Sequence, residues 1–162
     1  RDQGRFERGE PHPLPATVTF LRDAIVKLRG TEKNMTKEET KTPAVSSEKV
    51  FWRGIKEVHL TDEFKSGGGA ELAPMSTTSE LSVALQYGSC EHGSVLFRIV
   101  VRDDLMHGAD LRWISAFPRD SEVLYPPLTF LRPDKNKEVQ DVVRNGVCIK
   151  VIEVSPDMGA NR

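Results

Sequence analysis

Val18, Leu21, Ile25 and Leu28 recur at helical spacing until Gly30 stops the pattern, which predicts one amphipathic helix over 16–29 that covers a sheet. The residues before it, 1–13, are polar and carry Pro11 and Pro13. TEKNMTKEETKTPAVSS, residues 31–47, has almost no large apolar group and reads as a polar connector or exposed loop. From Glu48 the pattern changes to short β-type runs separated by turn residues: KVFWRG (49–54), SVLFRIVV (94–101), SEVLYPPLTFLRP (121–133) and GVCIKVIEV (146–154). A second helix is expected at SELSVALQYG (79–88), capped by Ser79 or Thr78, with Leu81, Ala84 and Leu85 on one face. Strands that return without regular intervening helices predict a mixed α+β domain, not a doubly wound parallel sheet.

Composition narrows this further. A chain of 162 residues that is 38% hydrophobic suits one domain with one core. Lys and Arg total 23 against 24 for Asp and Glu, so no net field favours nucleic acid or anionic lipid, and any anion site must be local. Cys90 and Cys148 are too few for a disulfide scaffold and read as free thiols. No apolar run is long enough to span a bilayer. The chain opens on Arg1, so the lack of a leader carries no weight, and the compartment stays open with a soluble, cytoplasmic protein slightly favoured.

Several chemical signatures fall away. SGGGAE (66–71) lacks both the Gly-Lys-Ser/Thr ending of a phosphate loop and the spacing of a dinucleotide fold, and reads as a flexible loop. His59, His92 and His107 are far apart, and CEH (90–92) has no second half at ligand spacing, so no metal is expected. Ser94 opens a strand; no nucleophile elbow surrounds it.

Three stretches are harder to dismiss. Arg53 and Gly54 follow two aromatic residues at the start of a strand, which fits either a snorkelling strand end or an anion clamp beside which a flat ligand approaches the backbone. Ser76, Thr77 and Thr78 precede a helix, and three hydroxyls are more than one cap needs. Asp120 and Glu122 are two apart on an expected strand and therefore face the same way.

In order, aromatic-Arg-Gly, a hydroxyl triplet leading into a helix, and Phe-Pro with a carboxylate pair before Val-Leu-Tyr-Pro resemble the arginine-serine-glutamate ADP-ribosyltransferases. Ser76 falls 23 residues after Arg53, and Glu122 another 46 on, with the likeness covering about 48–156. The resemblance implies two packed, mostly antiparallel sheets flanked by helices, with an NAD cleft between them. It divides the chain into an N-terminal helical segment (1–30), the polar connector (31–47), a catalytic core (48–156) and a tail (157–162).

The same resemblance implies a role for each matching residue. Arg53 would hold NAD phosphate or ribose oxygens through its planar fork, and the Gly54 backbone would meet the nicotinamide amide. Ser76 would orient Glu122, Thr77 and Thr78 would brace neighbouring strands, and Tyr87 would stack on nicotinamide. Glu122 would stabilise the positive charge that spreads over the ribose as the nicotinamide bond breaks. Asp120 would receive the incoming nucleophile, and residues 113–119 would form the loop that recognises the acceptor.

The implied function is mono-ADP-ribosyl transfer from NAD to a protein side chain, with arginine favoured, by a monomer that uses no metal and no nucleic acid. The alternatives are an NAD glycohydrolase on the same residues and a silent module that binds NAD or a partner. Poly-ADP-ribosylating relatives would carry His where Arg53 stands. Three positions depart from the arginine-modifying pattern: Asp120 replaces the usual Glu, Thr78 replaces a serine, and Pro74 stands where an aromatic often precedes the triplet.

Overall fold

A computed structural model of the chain describes residues 8–11, 14–39, 48–88 and 93–159. Helix α1 (Pro15–Glu39) is followed by β1 (Lys49–Lys56), α2 (Asp62–Gly67), β2 (Gly69–Glu71), β3 (Met75–Thr78) and α3 (Leu81–Gly88). Then come β4 (Ser94–Val101), β5 (Ala109–Asp110), β6 (Glu122–Tyr125), β7 (Thr129–Pro133), β8 (Gln140–Arg144) and β9 (Val147–Asp157).

The strands form a path in the order β2-β7-β9-β4-β1-β3-β6-β5, with β8 also paired to β9. Only β4 and β9 run parallel; the other pairings are antiparallel. The fold is therefore α+β, as expected. The two expected sheets are recognisable as halves of this path, because β1 meets β3 through the single pair Trp52↔Thr78, whereas it pairs with β4 along its full length.

Alternation along β4 explains how the halves hold together. Val95, Phe97, Ile99 and Val101 point to one face, where they join Phe51, Met75, Val123, Tyr125, Leu131, Ile152 and Val154 in one buried cluster drawn from both halves. Leu96 points the other way and packs with Ala84 of α3 and Ile149 of β9. β4 is thus covered on both sides, which accounts for its nearly unbroken apolar run.

Four sequence expectations change. Helix α1 continues past Gly30 to Glu39, through the first part of the segment read as a connector. Gly costs a helix only about 1 kcal/mol relative to Ala, and the Glu, Lys and Met that follow are good helix formers. Residues 40–47 lie outside those described. α1 packs at the β5 edge, with Ile25 buried and the Arg29 Nε donating to His107 O at 2.5 Å, instead of lying across a sheet. SGGGAE is no flexible loop: Ser66 and Gly67 end α2, and Gly69–Glu71 pair with β7. Gly68, at φ 82°, makes the turn between them, where a Cβ would come within 2.3 Å of Leu131 O. Finally, SEVLYPPLTFLRP is two strands, broken at Leu128 with φ 66°.

Cys148 is exposed and free, while Cys90 and His92 lie outside the described residues. Among the described residues no helix is long and apolar enough to cross a membrane, and no three His, Cys, Asp or Glu side chains gather as metal ligands would.

Candidate functional site

Pairing between β1 and β3 stops at Trp52↔Thr78, and a cavity of about 360 Å³ opens beside that pair. β1 contributes Trp52, Arg53 and Gly54 to its walls; β3 contributes Ser76, Thr77 and Thr78. Asp120, Glu122 and Tyr87 complete the set expected from the sequence, so the cavity gathers all eight of those residues. Val83, Ala84 and Phe117 also line it.

The three hydroxyls divide the work. The Ser76 hydroxyl donates to Glu122 Oε1 at 2.6 Å. The buried Thr77 hydroxyl donates to Val123 O at 2.7 Å and braces β3 against β6. The Thr78 hydroxyl donates to Asp120 O at 2.6 Å and accepts from the Glu80 amide at 2.9 Å, joining the turn that carries Asp120 to the start of α3. The cap expected from Ser79 or Thr78 falls instead to Glu80, whose carbonyl accepts from the Val83 and Ala84 amides, and the Thr78 bond closes a turn just ahead of the helix. Within α3, Ala84 and Gly88 are buried, whereas Leu81 is exposed and drops out of the expected face.

Glu122 opens β6 opposite Thr78, and its side chain turns back along the same face to Ser76. An ionised carboxylate offers about four acceptor positions, and Ser76 fills one. Capacity remains for a ligand hydroxyl.

Asp120 is not on that strand. It ends a 3-10 turn, Pro118–Asp120, and Ser121 follows in the left-handed region at φ 48°. Asp120 and Glu122 therefore do not share a strand face as expected, since period-two alternation applies only within a strand. The left-handed residue re-aims the chain, and Asp120 still lines the cavity, its Oδ2 accepting from the Tyr87 hydroxyl at 3.3 Å. Tyr87 is 58% exposed and lines the cavity. In the loop before Asp120, Trp113, Ile114 and Phe117 are exposed.

Arg53 bridges the gap between the halves. Its Nη1 donates to Ser76 O at 3.0 Å, Nη2 stands 3.6 Å from Glu71 Oε2, and Nε is buried without a hydrogen-bond partner among the described residues. Gly54 has a packing role of its own, because a Cβ there would lie 2.2 Å from Ala84 O and 2.5 Å from Gly88 Cα. Only a glycine lets α3 come this close, and that approach brings Tyr87 to the cavity.

A larger cleft of about 490 Å³ lies elsewhere, between β4, β7 and β9. Its arginines are already paired, Arg102 with Glu48 and Glu153 and Arg132 with Asp157, and none of the sequence-predicted residues reaches it.

The sequence did not point to Glu71, Trp52, Val83 or Ala84 as site residues. Glu71 gave no signal, since it closes a glycine-rich stretch with no periodicity. Phe117 belongs to the loop at 113–119 expected to recognise the acceptor, and it reaches the cavity.

No protein-family model and no curated protein matches the chain. Among solved structures, the ADP-ribosyltransferase HopU1 of Pseudomonas syringae pv. tomato DC3000 aligns over 87% of this chain and 54% of its own, at 18% identity and a TM-score of 0.54. Exoenzyme S from Pseudomonas aeruginosa, in complex with human 14-3-3 protein beta and bound to carba-NAD, aligns over 75% and 56% at 20% identity and 0.42. C3larvin toxin, an ADP-ribosyltransferase from Paenibacillus larvae, aligns over 93% and 90% at 14% identity and 0.44. The chain thus spans about half the length of the first two. The HopU1 likeness gives the chain an ADP-ribosyltransferase fold.

Proposed function

We propose that the protein is an arginine-serine-glutamate mono-ADP-ribosyltransferase that uses NAD and modifies a protein side chain, with arginine as the favoured acceptor. The observation that carries this reading is the 2.6 Å bond from Ser76 to Glu122, in one cavity with Arg53, Tyr87 and Asp120. A structural carboxylate at a strand start would have no need of a dedicated hydroxyl partner and an open cavity in front of it.

The residues present suit the nicotinamide end of NAD. A volume of about 360 Å³ lies in the lower part of the range of about 300–1,000 Å³ for small-molecule sites. The exposed Tyr87 ring offers a stacking face, the Gly54 backbone a contact for the amide, and Arg53 a charged donor for phosphate oxygens. Glu122, held by Ser76, is placed to accept from a ribose hydroxyl.

When the bond between ribose carbon and nicotinamide nitrogen breaks, its electron pair leaves with nicotinamide and the ribose becomes electron-poor. A fixed anion at Glu122 then stabilises charge that exists only as that bond breaks. An acceptor nitrogen forms the new bond to the ribose carbon, and Asp120 takes the proton it releases.

A second reading, NAD hydrolysis, has its own support. Asp120 is one methylene shorter than the usual Glu, and its Oδ2 already accepts from Tyr87, both of which hold it back from a bulky acceptor. Incubating the protein with NAD labelled in the adenosine moiety, with a cell lysate as acceptor source, separates the two. Transfer gives labelled protein whose modified residue mass spectrometry identifies; hydrolysis gives free ADP-ribose and no labelled protein. Neither product, with Glu122→Gln indistinguishable from the parent, would overturn both.

A further inference from the structure

Arg53 is the charged donor on which a phosphate-bearing ligand would depend, and it already has an anionic neighbour. Its two terminal nitrogens are held differently. Nη1 makes a hydrogen bond of 3.0 Å to Ser76 O, which fixes the position of the guanidinium. Nη2 stands 3.6 Å from Glu71 Oε2, beyond hydrogen-bond range, so Glu71 supplies charge without fixing geometry. Both side chains are about a quarter exposed, 24% and 25%, so solvent screens the pair only in part.

The backbone of Glu71 is anchored while its side chain is not. Its carbonyl accepts from the Leu128 amide at 2.7 Å, and the residue pairs with Thr129 of β7. The carboxylate can therefore swing aside without disturbing β2. It adds a third acid beside a cavity whose walls already carry Asp120 and Glu122, against Arg53 as the one Lys or Arg in the described lining. Phosphate oxygens entering there meet a guanidinium partly neutralised by Glu71 and three carboxylates that repel them.

We propose that Glu71 is an internal competitor for phosphate: its carboxylate faces Arg53 Nη2 as a counter-charge in the free protein and is displaced by the phosphate of a nicotinamide nucleotide. This rests on the NAD reading above and adds a residue that sets affinity for the phosphate without touching the reacting atoms. Ligands that lack a phosphate gain nothing from displacing it.

The test is calorimetric binding of NAD, nicotinamide mononucleotide and nicotinamide riboside, together with NAD turnover, for the parent, Glu71→Gln and Glu71→Ala. Both variants are expected to lower Kd and KM about two- to fivefold for the two phosphate-bearing ligands, the span for one partly exposed ion pair, with kcat and the riboside Kd unchanged. Two variants guard against a side effect of either replacement. A KM for NAD that is unchanged or raised in both, or an equal gain for the riboside, overturns the proposal while leaving the NAD reading intact. Failure of the parent to bind or turn over NAD overturns that reading first, and the proposal with it.

Discussion

Replacing Gly54 by alanine would put a methyl group where backbone already stands. Its Cβ would lie 2.2 Å from Ala84 O, 2.5 Å from Gly88 Cα and 2.7 Å from Gly88 N, and none of these atoms has a rotamer to escape into. Reaching an ordinary contact of 3.4 Å requires β1 and α3 to separate by about 1.2 Å. Overpacking of this kind costs about 1–3 kcal/mol, which lowers Tm by about 2–12 °C in a chain of this size.

The larger effect falls on the site. Val83, Ala84 and Tyr87 line the cavity from α3, and a displacement of about 1 Å near reacting groups costs up to about 100-fold in rate. Gly88→Ala is the control, because its Cβ would meet Gly54 Cα at 2.7 Å from the helix side although Gly88 does not line the cavity. Both variants should lose about ten- to 100-fold in nicotinamide release, followed by a coupled assay alongside thermal melting. An unchanged Tm and rate in Gly54→Ala would refute the close packing. A loss in Gly54→Ala alone would assign the effect to a ligand contact instead of helix spacing.

Other outcomes follow from the same geometry. Ser76→Ala removes the 2.6 Å bond that orients Glu122 and should lower kcat about ten- to 100-fold, with little change in Tm or in KM for NAD; a proportionate rise in KM would argue against an orienting role. Burial alone would raise the Asp110 carboxyl, but the hydrogen bonds and charge of Arg112, with His107, outweigh it and hold it below the ordinary value of 3.8. A depressed carboxyl contributes stability that is present above its unfolded value and lost as pH falls through the folded one. Asp110→Asn should therefore melt below the parent at pH 7, with the gap closing as pH falls below about 4; a gap unchanged down to about pH 2 would contradict this.

The α+β class was legible in the sequence, because strand runs return without regular intervening helices. Arg53, Ser76 and Glu122 each had an ordinary structural explanation and became a set only through their likeness to the arginine-serine-glutamate pattern; all three line one cavity. The long buried strands were legible because β4 and β9 bury enough apolar side chains to leave a run or an alternation.

What was missed left no period to read. α2 is six residues long, too short for a helical repeat, although Thr61 followed by Asp62 and Glu63 is a cap with acids in the first turn. β8 is exposed on both faces and shows no alternation; Asn145-Gly146, a hairpin signal, was the clue to it. Asp120 was misplaced onto a strand because spacing cannot reveal that Ser121 takes a left-handed conformation.

Nicotinamide release from NAD by Glu122→Gln tests most directly the proposal that Glu122 is the anion that meets positive charge on the ribose. Glutamine keeps the size and a donor-acceptor group but removes the charge. The predicted result is a loss of about 100- to 1,000-fold in kcat with NAD binding and Tm close to those of the parent. Release at the parent rate would contradict it.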